Sequence, residues 1–434
     1  MTSIKKEHFM VARIPFEPYD FAKTLLASED YAYADKHLVQ WNGRYWEIVD
    51  DDEAERRATL WISSTGIGYH VKPNNAKSAV RTAQLVLPRL AAASHETLVP
   101  TQNGYVYAEA SGVTLLPHDK TKCLRHVVKC NFDPHAPIPK KFIKFIEQVL
   151  PEADVRAYVQ EYMGYTLIHD ARHQRAQIWL GNGANGKGVL ANILQKLHAK
   201  VAAVSLDNLD GFKLAPLIDV SLIYCDEAPE GKLKANRLKS LIAGETVTID
   251  QKFKDIISKG ILAKWLILSN HVPKVSDHSD GFWRRFDIVP FPVHIPEGER
   301  DPMLAQDIIR DELSGVLNWV LEGLVRLLAR GQFNPKLPEP MRRAKIAART
   351  VTSTVAAWAD DVSATRTTVA DASRVKVYRN YKDWCRENGV AAESSIEFWR
   401  RLDSLIGPLQ TNARAKTGEG FIRVTNVRLE ALHA

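Results

Sequence analysis

The residues Gly181-Asn182-Gly183-Ala184-Asn185-Gly186-Lys187 carry the spacing G-x-x-x-x-G-K. Glycines in such a loop let backbone N–H groups converge on phosphate oxygens. The helix that follows presents its positive end, and the lysine reaches the β- and γ-phosphates of a nucleoside triphosphate. Gly181 through Val189 is therefore the candidate ATP-binding loop, with Lys187 its catalytic cation. Gly188 stands where this pattern ordinarily has Ser or Thr, whose hydroxyl ligates Mg²⁺. The metal must then rely on phosphates, waters and a carboxylate from elsewhere. Asp226-Glu227, after the apolar run Val220 to Cys225, supplies one. Asp226 is expected to hold Mg²⁺, directly or through water, and Glu227 to polarise the attacking water. Asn270, after the run Lys264 to Ser269, is a neutral amide that can orient water near the γ-phosphate, although an Asn there is also an ordinary turn former. Arg284 and Arg285 precede another apolar run. They are candidates for a finger that stabilises transition-state charge from a neighbouring subunit, against the plainer reading of a solvated or salt-bridged pair.

These residues need strands to carry them. Ala176 to Leu180 reads as a buried strand and Val189 to Leu197 as an apolar helix. The alternation of short apolar runs with helices from Gln174 to Val293 implies a parallel central sheet. Upstream, the chain reads as mixed α/β. A hairpin is expected over Leu38 to Val49, turning at Asn42-Gly43, followed by Asp50 to Glu53 as a solvated turn between strands. A helix is expected over Lys77 to Ala92, and a second hairpin over Leu98 to Leu116, turning near Asn103-Gly104. Apolar residues recur at helical spacing from Lys140 to Ile168, and Asp301 to Arg330 is strongly helical. The tail reads as a helix over Arg374 to Cys385 and a helix over Ser394 to Ile406, with Glu397 at capping-box spacing from Ser394. A strand, a basic turn over Asn412 to Gly420 and a second strand complete Gln410 to Val427. That helix–helix–hairpin order resembles a winged helix. The expected division is 1–139 as an N-terminal α/β region, 140–173 as a helical collar or linker, 174–295 as the motor, 296–345 as a helical lid and linker, and 346–434 as the winged-helix-like module.

The 434 residues carry 58 Lys and Arg against 51 Asp and Glu, a net +7 that is a weak sign of a polyanionic partner over this length. No apolar run approaches the ~20 residues a bilayer demands, so no membrane association is expected. The start shows no apolar core behind Lys5-Lys6, so no signal peptide is expected. Cys123, Cys130, Cys225 and Cys385 are too few for a disulfide framework and suit a reducing cytoplasm. Locally the charge is denser: residues 231–260 hold seven Lys and Arg against three Asp and Glu.

Taken in order, Gly-Asn-Gly-Ala-Asn-Gly-Lys-Gly, Tyr-Cys-Asp-Glu, Gly244-Glu245 to Lys254, Leu-Ser-Asn270-His-Val-Pro273 and Gly-Phe-Trp-Arg-Arg-Phe resemble superfamily 3 helicases of the AAA+ class. The group concerned is that of phage, plasmid and poxvirus primase–helicases. The resemblance covers Gln174 to Val293. It implies that Lys187 contacts phosphate, Asp226 and Glu227 handle metal and water, Asn270 is the polar sensor, and Arg285 is the finger with Arg284 as its alternate. It further implies a homo-hexameric ring with each ATP site shared between neighbours. Thr248 to Asp255 is similar to a hairpin that projects into the ring channel, where Lys252 and Lys254 meet phosphates and Phe253 stacks on a base or sugar of single-stranded DNA.

From Arg374 onward the tail holds eleven Lys and Arg against seven Asp and Glu, with Arg400, Arg401, Arg414 and Lys416 as candidate duplex contacts. Tyr378, Tyr381, Trp384 and Phe398 are expected in its core. Cys123, His126, Cys130 and His135 lack the spacing of a zinc site. Family primase domains lie upstream of the matched region, so no primase activity is expected in this chain, and a separate primase or polymerase is the expected partner at forked DNA. The expected function is that of an ATP-dependent replicative DNA helicase of a phage, plasmid or other mobile element. The alternative is a DNA-binding initiator or loader that uses ATP as an assembly switch.

Overall fold

The computed structural model describes residues 14–429 except 208, 229–234, 252–255, 272–279, 351–352, 411 and 418–419. Two compact bodies emerge, one from the chain up to His95 with His118–Arg125, the other from Glu96–Pro117 with His126 onward. The expected tail module falls within the second body.

The first body contains α1 (Pro18–Ser28), β1 (Tyr31–Ala34), β2 (His37–Trp41), β3 (Trp46–Val49), α2 (Asp51–Ser64) and α3 (Pro73–Val86). β1, β2 and β3 form an antiparallel sheet. Its β2–β3 turn lies at Asn42-Gly43 as expected. There the Asn42 carboxamide oxygen accepts from the backbone N–H groups of Arg44 (3.1 Å) and Tyr45 (3.0 Å). The acidic run is not a turn between strands. Asp50 caps α2 by accepting from Glu53 N (2.8 Å), and Asp51, Asp52 and Glu53 fill the first turn, where the helix dipole favours negative charge. α3 starts at Pro73 and stops at Val86, short of the expected Ala92, because Pro88 forces Leu87 into extended backbone.

The second body opens with β4 (Leu98–Thr101), β5 (Gly104–Glu109) and β6 (Gly112–Leu116), a three-stranded meander where one hairpin was expected. The helical stretch 140–168 is two helices, α4 (Lys140–Val149) and α5 (Ala153–Thr166), broken at Pro151. Next come β7 (Ala176–Leu180), α6 (Lys187–Leu197), β8 (Val201–Ala203), β9 (Leu222–Cys225), α7 (Ala235–Ile242), β10 (Thr246–Ile249), β11 (Ile257–Gly260), β12 (Lys264–Ser269), α8 (Asp280–Trp283) and β13 (Phe286–Pro290). The expected parallel sheet is present, in the order β13-β7-β12-β9-β8. β10 and β11 form a separate antiparallel pair.

The strands of this sheet alternate between two cores. Trp179, Leu222, Leu266, Leu268 and Val289 join the cluster built with α4, α5, α6 and a long helix, α10 (Leu313–Arg330), which follows α9 (Leu304–Asp311). Ile178, Ile223, Trp265, Ile267 and Ile288 join the opposite cluster with α7 and α8. Burial on both faces is the condition of a parallel sheet and explains its near-continuous apolar runs. α5 is buried continuously from Tyr158 to Thr166 because it lies between the sheet and α10. Gly164 and Gly323 make that helix crossing close: a Cβ on Gly164 would meet Leu324 N at 2.7 Å, and one on Gly323 would meet Gln160 O at 2.4 Å.

α11 (Glu339–Thr350) leads into α12 (Thr354–Asp361), β14 (Thr365–Arg366), β15 (Ala372–Ser373), α13 (Arg374–Glu387), α14 (Ser395–Ile406), β16 (Arg414–Thr417), β17 (Gly420–Thr425) and β18 (Val427–Arg428). Ser394 caps α14, accepting from Glu397 N at 3.3 Å. Tyr381, Trp384 and Phe398 are buried with Trp358, and Tyr378 packs half-buried against them, as expected. The expected basic turn over Asn412 to Gly420 is mostly strand. β16 pairs with β17 from Arg414↔Arg423 to Lys416↔Phe421. Among the described residues no helix is long and apolar enough to cross a membrane.

Replacing Gly164 with Ala forces α5 and α10 apart against backbone atoms. The expected cost is about 1–3 kcal/mol of stability, read from urea unfolding. Gly298→Ala, with nothing within 4 Å of the new Cβ, is expected to leave the midpoint unchanged.

Candidate active site

Parallel neighbours deliver their carboxyl ends to one edge of the sheet. Ser269 is level with Leu180, and Cys225 with Ile267, so the segments after β7, β9 and β12 converge. Gly181 N bonds Ser269 O (3.1 Å), and the loop then turns through left-handed backbone at Gly183, Ala184 and Gly186. Ala184 O accepts from Ile295 N (2.8 Å). Gly186 begins α6 with φ +82°, and a Cβ there would lie 2.5 Å from Val149 Cγ1 and 3.0 Å from Phe145 Cε2. α4 thus sets the height of the loop.

Lys187 is buried and donates from Nζ to Gly181 O (2.7 Å) and Asn270 Oδ1 (2.6 Å). Burial lowers its pKa, while Glu227 and Asp226 act in the opposite sense. Asn270 in turn donates from Nδ2 to Glu227 Oε2 (2.9 Å) and from its backbone N to Glu227 Oε1 (3.0 Å). Ser269 Oγ (3.3 Å) and His271 Nδ1 (3.4 Å) also approach Glu227 Oε1. Asp226 accepts from the Tyr224 hydroxyl at 2.5 Å. The loop from Gly183 to Val189 with Asp226, Glu227, Leu268 and Asn270 lines a cavity of about 430 Å³. That volume suits a small ligand.

The cradle fits a phosphate chain. It has the amino end of an eleven-residue helix, a lysine beside it and two carboxylates opposite. Asn185 is buried, and its Nδ2 has no hydrogen-bond partner among the described residues. Asp226 and Glu227 also suit a hard divalent cation that is bound mainly by oxygen. At Gly188 a Cβ would find no atom within 4 Å, so the missing hydroxyl is not excluded by packing.

Lys187, Asp226, Glu227 and Asn270 thus meet around one cavity, while Gly181 and Asn182 are not among the residues that line it. The two arginines are elsewhere. β13 is parallel to β7 with Phe286 beside Ala176, so Arg284 and Arg285 sit at the opposite end of the sheet. Arg285, the preferred finger, is buried and donates to Gly281 O (2.5 Å) and Gln174 Oε1 (3.1 Å). Arg284 is exposed. A finger must reach another subunit, so the order of preference reverses. Lys252, Phe253 and Lys254 lie outside the described residues. Arg400 bonds Glu397 (3.0 Å), and Arg401 pairs with Glu393 (2.9 Å) and Glu397 (3.2 Å), whereas Arg414 and Lys416 are exposed on β16. His126 is buried and stacked on His169 at 4.8 Å, and burial lowers its pKa to about 4.

Sequence reasoning named Asn185 within the loop but missed Tyr224, Ser269 and His271. Tyr224 was legible in principle, since residues two apart on a strand share a face. The others depend on which strands become neighbours.

Residues 179–285 match a protein family described as of unknown function (DUF5906). The chain is 24% identical over 192 residues to "Putative helicase 184R" of Invertebrate iridescent virus 6, covering 38% of this chain and 20% of that protein. It is 23% identical over 240 residues to a "Putative primase" of African swine fever virus, covering 49% and 25%. It is 21% identical over 165 residues to a "Putative helicase" of Acanthamoeba polyphaga mimivirus, covering 34% and 16%. The matches span a quarter or less of these relatives. Two apo structures of the NrS-1 C terminal region share the fold. One has a TM-score of 0.54 at 15% identity over 95% of this chain and all of that one. The other scores 0.51 at 14% identity over 96% and 100%.

Gly186→Ala pushes a methyl into Val149 and strains the backbone. We expect a cost of about 1–3 kcal/mol of stability in urea unfolding, with the far-ultraviolet circular dichroism unchanged.

Proposed function

We propose that this chain carries an ATP-dependent DNA helicase motor of the superfamily 3 AAA+ type, serving replication of a phage, plasmid or other mobile element. The observation that carries the reading is the meeting of Lys187, Asp226, Glu227 and Asn270 around one cavity behind a phosphate loop. Its likeness to viral proteins named as helicases and primases supports the replicative setting. In this reading the protein assembles as a homo-hexameric ring, and Arg284 of one subunit faces the cavity of the next.

Bound Mg²⁺ would neutralise phosphate charge and polarise the γ-phosphoryl group. The chain's own residues do the rest. The loop N–H groups and the start of α6 bind the phosphates. Lys187, now shared between Gly181 O and Asn270, turns to the more highly charged phosphate oxygens. That loosens Asn270 and leaves its amide to orient a water. Asp226, oriented by Tyr224, would hold the metal. Glu227 takes the proton of the water as its oxygen bonds to the γ-phosphorus and the bond to the bridging oxygen breaks. Lys252, Phe253 and Lys254 then carry the contact with one DNA strand, and the tail module meets the fork, where a separate primase or polymerase would work.

Lys187→Ala and Arg284→Ala are each expected to lower ATP hydrolysis on the order of a hundredfold or more. An equimolar mixture is expected to recover a share of it, because some interfaces pair an intact loop with an intact finger. A protein that hydrolyses ATP but opens no forked duplex at any salt or concentration refutes the motor. Gly188→Thr is expected to fold normally and to reach half-maximal ATPase at lower Mg²⁺.

A further inference from the structure

The hairpin β16–β17 presents a face that the motor chemistry does not use. Its register sets Arg414 directly opposite Arg423 and Lys416 opposite Phe421. Paired residues and residues two apart share a face, so Arg414, Lys416, Phe421 and Arg423 stand together on one side. All four are exposed, and Phe421 is 71% exposed. Arg374, at the start of α13, lies over the Trp399 ring at 4.2 Å, and burial, then the nearby Arg423 charge, lowers its pKa. Like charges set opposite each other across a strand pair repel. A polyanion relieves that repulsion.

The cations of α14 differ. Arg400 and Arg401 are already paired with Glu397 and Glu393 on their own side of the module. A helix whose arginines are neutralised in this way is poorly equipped to enter a major groove. Among the described residues no carboxylate pairs with Arg414, Lys416 or Arg423, and the hairpin adds an exposed ring. In an intact duplex the faces of the bases are covered by stacking and only their edges are offered. An aromatic ring amid cations matches unstacked bases beside phosphates.

We propose that this hairpin face binds single-stranded nucleic acid, with Phe421 stacked on a base and Arg414, Lys416, Arg423 and Arg374 along the phosphates. This deepens the reading that the chain works on DNA. It does not require ATP turnover.

The test uses the full chain without nucleotide and labelled oligothymidylate, with a blunt duplex of equal length as comparison, read by fluorescence anisotropy across a salt series. We expect the single strand to bind more tightly than the duplex. Phe421→Ala should weaken single-strand binding on the order of tenfold with the salt slope unchanged, and Phe421→Trp should restore it. Arg414→Ala with Arg423→Ala should reduce the slope by roughly 0.7 for each phosphate that is no longer neutralised. Binding indifferent to Phe421→Ala, duplex binding equal to or tighter than single-strand binding, or no binding overturns the proposal. ATP hydrolysis by the unsubstituted chain, measured separately, decides the motor reading. The two can therefore fail independently.

Discussion

Lys187 holds Asn270, and Asn270 holds Glu227. This chain of contacts crosses three strands, and it exists only because β7, β12 and β9 are parallel neighbours whose ends are level. Short polar side chains placed on three separate segments cannot meet within hydrogen-bond distance unless the sheet register is set. That register depends on burial of both faces by two distinct hydrophobic clusters. A slip of one residue in any strand would turn its apolar set toward the wrong core and move its polar tip away from the cavity.

The opposite edge of the sheet is held as firmly, by other chemistry. Asp287 is fully buried and accepts from the Tyr158 hydroxyl (2.9 Å) and Arg175 (3.0 Å). Tyr162 donates to Trp265 O (2.6 Å), and buried Lys264 donates to Ile168 O (2.6 Å). Removing one partner of such a buried pair strands the other, so these contacts bind α5 to the sheet at high cost of breaking. Arg285 belongs to this underside through Gln174. Its burial follows from a structural duty that an adjacent exposed arginine does not share.

Charge, diffuse over the whole chain, is sorted by the fold. On α13 and α14 several cations are answered by carboxylates of the same helix, as Arg400 is by Glu397 and Arg386 by Asp383 (2.9 Å). On β16 and β17 the cations face one another across the strand pair. The cations of the tail thus divide between arginines paired along a helix and arginines set against each other on the hairpin.

Local pattern determined much of this protein. The G-x-x-x-x-G-K spacing, the apolar runs of β7 and β12, the Asn42-Gly43 turn and the Ser394 cap are each written within a few residues, because strand burial, turn chemistry and capping act over that range. So are the polar tips Asp226, Glu227 and Asn270 as candidates. What the local pattern could not decide was set by contacts far apart in the chain. Asp50 to Asp52 begin a helix because a buried apolar face follows on Ala54, Ala58 and Ile62. The meander β4–β6 joins the second body because Val99 and Val106 enter its core. Arg284 and Arg285 are indistinguishable as letters, and only packing against Gly281 and Gln174 buries one and exposes the other. The four-residue site itself is tertiary: each member was visible, but their meeting required the strand order, which the burial of two cores selects.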